Sequence, residues 1–104
     1  MEPVQAAAGF SAMGSESRLE VLRILVRAGE TGLAVGDIQA RTEIPASTLA
    51  HHLKFLTSAG LIEQEKSGRT IINRAQFDHL HALADFILKE CCADQSPTEQ
   101  QTAE

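Results

Sequence analysis

The stretch Pro45–Gly60, PASTLAHHLKFLTSAG, decides how the rest of this 104-residue chain is read. A helical step of about 100° per residue puts Leu49, Leu53 and Leu56 on one stripe, the i, i+4, i+7 spacing of a core-facing surface. The same step puts Ser47, His51 and Lys54 on the opposite side, with Thr48 and Phe55 on the flank. Pro45 suits a first helical turn, where its missing N–H removes no intrahelical bond. Gly60 suits the stop, because glycine takes left-handed backbone angles without strain. One face is therefore apolar. The other offers short hydrogen-bonding groups and a cation, a set able to read base edges in a major groove. An ordinary amphipathic surface helix has the same pattern, so the flanking segments must decide.

A chain of this length makes one domain with a single modest core. It is 43% hydrophobic but only 4% aromatic, without Trp or Tyr, which predicts aliphatic packing. No run approaches the ~18 apolar residues of a membrane helix, and the N-terminus lacks the order of a signal peptide. A cytoplasmic protein is expected. Cys91 and Cys92 are adjacent and cannot staple distant segments, which fits a reducing compartment. The net charge of −5 sits awkwardly with nucleic-acid binding. Yet residues 41–74 hold Arg41, Lys54, Lys66, Arg69 and Arg74 against only Glu43, Glu63 and Glu65. A weakly basic window in an acidic body permits DNA binding and limits its non-specific part.

Upstream, residues 1–13 form a short helix after Pro3 with Val4, Ala8 and Met13 on one side, and Gly14 ends it. Ser15 or Ser17 then caps a second helix, Ser17 and Glu20 matching the S-x-x-E box. Leu19, Leu22 and Val26, with Val21 and Leu25 beside them, give that helix a wide apolar face and predict the central core helix. Gly29 and Gly32 bracket a turn, Leu33 opens a short third helix, and Glu43-Ile44-Pro45 connects it to the opening stretch. Two helices so closely joined, the second polar and basic outside, have helix-turn-helix spacing.

Downstream the period changes. LIEQE and RTIINR flank Lys66-Ser67-Gly68-Arg69 and predict a β-hairpin. Its basic tip suits contact with phosphates, although solvated charges on a structural hairpin are the alternative. From Ala75 the helical period returns, with Phe77, Leu80, Ala84, Ile87 and Cys91 on a stripe widened by Leu83 and Leu88. Asp78 and Lys89 complement the helix dipole. So broad a face exceeds one small core and predicts a dimer interface. Residues 1–92 make the domain; residues 93–104 lack any apolar side chain larger than Ala and are expected to be disordered.

This order, mainly α with a β-hairpin wing, is that of a winged helix-turn-helix. IPASTLAHHLKFLTSAGLIEQEKSGRTIINR resembles the recognition helix and wing of the ArsR/SmtB family of bacterial metal- and metalloid-responsive repressors. SESRLEVLRILV resembles the core helix before them, and the likeness covers roughly residues 10–92. It implies a homodimer through the first and last helices that binds an inverted-repeat operator in double-stranded DNA and lets go when an inducer binds. On this chain it implies Ser47, Thr48, His51 and Lys54 as groove-facing residues and Lys66, Ser67 and Arg69 as wing contacts. His52 falls nearer the apolar side and reads as half-buried packing.

Many family members carry a C-x-C pair in a stretch resembling ELCVCDL. Here Ala34 and Gly36 stand in those places, so that site is absent. A second family site uses Asp and His ligands on the terminal helices. Asp78, His79, His81, Asp85, Glu90 and Cys91 match its spacing only in part, and a solvated charged face accounts for them as well.

The run FILKECC resembles the ends of arsenic-operon repressors with a vicinal cysteine pair. Soft, thiophilic As(III) or Sb(III) suits two thiolates, so the resemblance implies Cys91 and Cys92 as inducer ligands and no required cofactor. On a helix the two thiols would diverge by about 100°, so joint chelation requires the helix end to fray. Other readings stay open: Cys91 continuing the apolar stripe, a thiol redox switch, or zinc or cadmium on one Cys with nearby His and Asp. No third Cys is present. Nor is there a nucleophile–base motif, a Gly-rich phosphate loop or an H-E-x-x-H, and no enzyme is expected.

Overall fold

The fold is described from a computed structural model covering residues 1–96. The first helix, α1 (Pro3–Met13), buries Ala6, Gly9 and Ala12. The expected face of Val4, Ala8 and Met13 is therefore rotated: Val4 is 79% exposed and Met13 only packs at the core margin. Small residues win because this helix lies close against the last one. A Cβ on Gly9 would come within 2.9 Å of a Leu83 methyl.

Helix α2 (Glu16–Ala28) is capped by Ser15, whose Oγ accepts the Arg18 N–H at 3.4 Å, while Ser17 lies inside the helix. Its buried face is narrower than the sequence suggests. Val21, Leu22 and Leu25 are in the core, whereas Leu19 and Val26 stand at the exposed edges. A short 3-10 turn leads to Gly32, held at φ 69° where a Cβ would strike the Asn73 carbonyl oxygen.

Leu33 does not open a helix. Leu33–Ala34 form a two-residue strand, β1, and α3 spans Val35–Thr42. The turn after α3 is tied by Thr42, whose hydroxyl donates to the Ile38 carbonyl at 2.9 Å and accepts the Ile44 N–H at 3.2 Å. Helix α4 (Ala46–Ser58) then forms with Leu49, Leu53 and Leu56 buried, as its stripe predicts. Pro45 is its N-cap residue, one place before the first turn. Gly60 closes it at φ 79°, and the Leu61 N–H reaches back to the Leu56 carbonyl at 3.0 Å, a Schellman pattern.

β2 (Ile62–Ser67) and β3 (Thr70–Ala75) pair antiparallel from Ile62↔Ala75 to Ser67↔Thr70. The turn is thus the two residues Gly68-Arg69, and Lys66 and Ser67 belong to the ladder rather than to a four-residue tip. β1 adds to the other edge of β3, giving the order β1-β3-β2. Asn73 is fully buried at the centre of this sheet. Its Oδ1 accepts from Gln64 at 2.7 Å and its Nδ2 donates to the Leu33 carbonyl at 3.2 Å, so one amide joins all three strands.

Helix α5 (Phe77–Leu88) stops before the cysteines. Leu83, assigned above to the surplus face, is 1% exposed and belongs to the monomer core. The apolar residues left outside lie nearer the end: Ile87 and Leu88 are 64% and 62% exposed. Of the expected disordered tail, Ala93 and Asp94 lie in turns, and the Gln95 N–H bonds to the Cys92 carbonyl at 3.0 Å; residues 97–104 lie outside the described residues. No helix among the described residues is long and apolar enough to cross a membrane.

Candidate nucleic-acid interface and thiol pair

Burial of the leucine stripe fixes what α4 presents outward. Ser47, Thr48, His51 and Lys54 are all exposed, as their spacing predicts. Phe55 is also 46% exposed. His51 meets its ring edge-to-face at 4.8 Å, and the Arg18 guanidinium lies 5.0 Å from its centroid. This contact braces α4 against α2 and could not be read from either helix alone. His52 is half-buried, as expected, and its Nδ1 has no hydrogen-bond partner. Burial, then the nearby charges of Arg18 and His51, lower its pKa below the ordinary histidine value, which favours the neutral ring.

Lys66, Ser67 and Arg69 are exposed at the outer end of the hairpin, on the ladder and in its turn. Arg74 is not available in the same way. Its Nη2 pairs with Glu65 at 2.9 Å and its Nε donates to the Glu30 carbonyl at 2.7 Å. One of the five cations in the basic window is therefore spent inside the protein.

Cys91 and Cys92 lie in the turns beyond α5, both exposed. The expected helical divergence of the two thiols does not arise, because the helix has ended. Cys92 adopts a left-handed φ of 64°, and the two sulfurs stand 3.4 Å apart. A hydrogen bond with Cys91, then that neighbour's charge and slight burial, raises the Cys92 thiol pKa. With metal–thiolate bonds near ~2.3 Å, one ion can reach both sulfurs at this separation. Asp78, His79, His81, Asp85, Glu90 and Cys91 do not converge: among the described residues of one chain, no group of three or more His, Cys, Asp or Glu could hold a metal ion.

An exposed polar helix beside a basic hairpin, on a core of four further helices, defines a winged helix-turn-helix protein, and residues 13–65 match a helix-turn-helix domain family. The chain belongs to that family and, within it, to the ArsR/SmtB transcriptional regulators. It is 28% identical over 83 residues to the transcriptional activator HlyU of Vibrio cholerae, covering 80% of this chain and 74% of that protein. A Staphylococcus aureus homologue of the cadmium resistance regulator CadC is 26% identical over 80% of this chain and 67% of its own length. The arsenical resistance operon repressor of Bacillus subtilis is 37% identical, over 57% of this chain and 54% of that one. Among solved structures, an ArsR-like regulator from Rhodococcus sp. RHA1 superposes with a TM-score of 0.74 at 28% identity, covering 96% of this chain and 88% of that one. A homodimeric winged helix-turn-helix DNA-binding domain from Mycobacterium bovis gives 0.64 at 27% identity, over 84% and 81% of the two chains.

Proposed function

We propose that this regulator is a dimeric repressor that holds an inverted-repeat operator and releases it when As(III) or Sb(III) binds Cys91 and Cys92. Ser47, Thr48, His51 and Lys54 face the major groove, and Lys66, Ser67 and Arg69 contact the backbone. The observation that carries the inducer reading is the 3.4 Å approach of two exposed thiols at the end of α5. The similarity to an arsenical resistance repressor supports it. Arsenite needs no redox partner here. Each thiol displaces one hydroxide of As(OH)3, forming an As–S bond and one water at constant oxidation state. The dimer reading rests on the exposed Val4, Ile87 and Leu88 of the first and last helices and on the homodimeric relative. The role is binding, in the cytoplasm, with no catalytic step.

An operator-shift titration tests this. The duplex is one the wild-type protein selects from a randomised pool. Coupling between two ligands typically amounts to about 1–3 kcal/mol, so arsenite should weaken DNA binding roughly 5- to 150-fold. Cys91→Ser and Cys92→Ser should bind DNA normally and fail to let go. Release of the double Cys→Ser variant by arsenite would overturn the assignment. Release by cadmium, zinc or peroxide but not arsenite would transfer the role to a divalent metal or to thiol oxidation. A reporter gene behind the selected duplex decides between repression and the activation that HlyU's name carries.

A further inference from the structure

Arg18 stands where its own helix has no use for it. Ser15 caps α2, so Arg18 is the third helical residue, the place where a capping box carries Glu or Gln. A cation in the first turn also faces the positive end of the helix dipole. The side chain serves other elements instead. Its Nε donates to the Ala12 carbonyl at 2.5 Å and its Nη2 to the Ser11 carbonyl at 3.5 Å. These carbonyls belong to the last turn of α1, which has no basic residue of its own. The guanidinium carbon lies 5.0 Å from the centroid of the Phe55 ring on α4. Around this contact is a hollow of about 280 Å³, lined otherwise by Ala8, Ser11, Ala12, Ser58 and Ala59, all too small to steer an aromatic ring. Phe55 in turn meets His51, one helical turn earlier, at 4.8 Å with the two rings at 84°. One side chain of α2 is thus tied to α1 and, through a single ring, to an exposed histidine on the outward face of α4.

We propose that Arg18 is a positioning residue for base reading: through Phe55 it fixes the attitude in which the His51 imidazole meets a base edge. An exposed histidine turns about two side-chain torsions, and each orientation aims a different ring nitrogen outward. An edge-to-face partner selects one orientation only if that partner is itself held. Phe55 is 46% exposed, so burial alone does not hold it, and the planar guanidinium fixed on two carbonyls does. The inference rests on the reading of α4 as a helix that contacts bases through His51. It adds a determinant of sequence discrimination that lies outside α4 and need not touch DNA itself.

The test compares Arg18→Lys, Phe55→Leu, Phe55→Tyr and His51→Ala, with Arg18→Lys and Phe55→Leu also made in the His51→Ala background. Arg18→Lys keeps the charge and a donor but loses the flat face. The probes are the duplex selected by the wild-type protein, its single-base-pair variants and a scrambled duplex of equal length. His51→Ala first marks the base pair at which discrimination is lost. At that pair Arg18→Lys and Phe55→Leu should each lower discrimination by roughly three- to tenfold. Binding to the scrambled duplex should stay within about twofold of wild type. A merely structural role would weaken every duplex alike, because unfolded protein binds none of them. Phe55→Tyr keeps the aromatic face and should keep the wild-type ratio. In the His51→Ala background neither substitution should lower the ratio further, since both act through that ring. Wild-type discrimination by Arg18→Lys or by Phe55→Leu overturns the proposal, and so does a further loss without His51. Full discrimination by His51→Ala, or no duplex bound by the wild-type protein, removes the reading of α4 and the proposal with it. That failure shows itself before Arg18 or Phe55 is changed.

Discussion

His52 marks the seam between the buried and outward faces of α4, and its chemistry follows from that place. Its Nδ1 is buried without a partner, and burial with Arg18 and His51 nearby holds its pKa below the ordinary value of 6.5. The unfolded chain takes up a proton there as pH falls through about 6.5, whereas the folded chain resists until lower pH. In that window the unfolded state binds more protons, so stability falls with acidification and levels off once both states are protonated. Urea unfolding at about pH 7.5 and about pH 5.5 should show a lower midpoint at the acid pH. His52→Gln should remove part of that drop. An equal drop in the variant would shift the acid sensitivity to other groups. The half-burial of His52 was legible from its angular position on the helix. The lowered pKa was not, because Arg18, which raises the cost of its charge, comes from another helix. Arg74 shows the same limit: counted as a free cation in the basic window, it is tied to Glu65 and the Glu30 carbonyl.

Asn73 shows how elements are joined. Its amide satisfies Gln64 on β2 and the Leu33 carbonyl on β1. Asn73→Ala empties a fully buried position and leaves the half-buried Leu33 carbonyl without its partner, which costs about 1–3 kcal/mol, while the exposed Gln64 can turn to water. A clear fall in the urea midpoint is expected, with the slope preserved; an unchanged midpoint would mean that water replaces the amide without loss. The same residue explains why β1 was missed. Two residues cannot express a period, and β1 exists because β3, some forty residues on, offers it an edge. By contrast α4 was legible from end to end: its stripe has three leucines, and Pro45 and Gly60 bound it. The end of α5 was misread because the apolar period runs on to Cys91. That continuation marks no helix, since Ile87 and Leu88 already lie outside the core. The error also hid how close the thiols stand, which follows from the left-handed Cys92 and not from helical spacing.

At the scale of the whole molecule, the sequence foresaw an excess of apolar surface on the last helix, and of the residues it named Ile87 and Leu88 stay outside the core while Leu83 does not. Leu83 fills the notch at Gly9 and belongs to the core, so a charge there should unfold the monomer. Ile87 and Leu88 are the groups left in water, with Val4 on the helix that packs against theirs. If they form the seam between two copies, Ile87→Glu and Leu88→Glu should keep the wild-type circular dichroism spectrum and become monomeric by sedimentation velocity. Operator affinity should fall sharply, since one winged helix engages only one half-site. Binding of arsenite to the thiols should survive in these variants, because Cys91 and Cys92 approach each other within one chain. What they should lose is the effect of arsenite on DNA binding, for a ligand at the end of α5 can alter the spacing of two recognition helices only if two are held together. A variant that remains dimeric would move the seam elsewhere. A monomer whose residual DNA binding still responds fully to arsenite would place the switch inside one chain, between the thiols and α4.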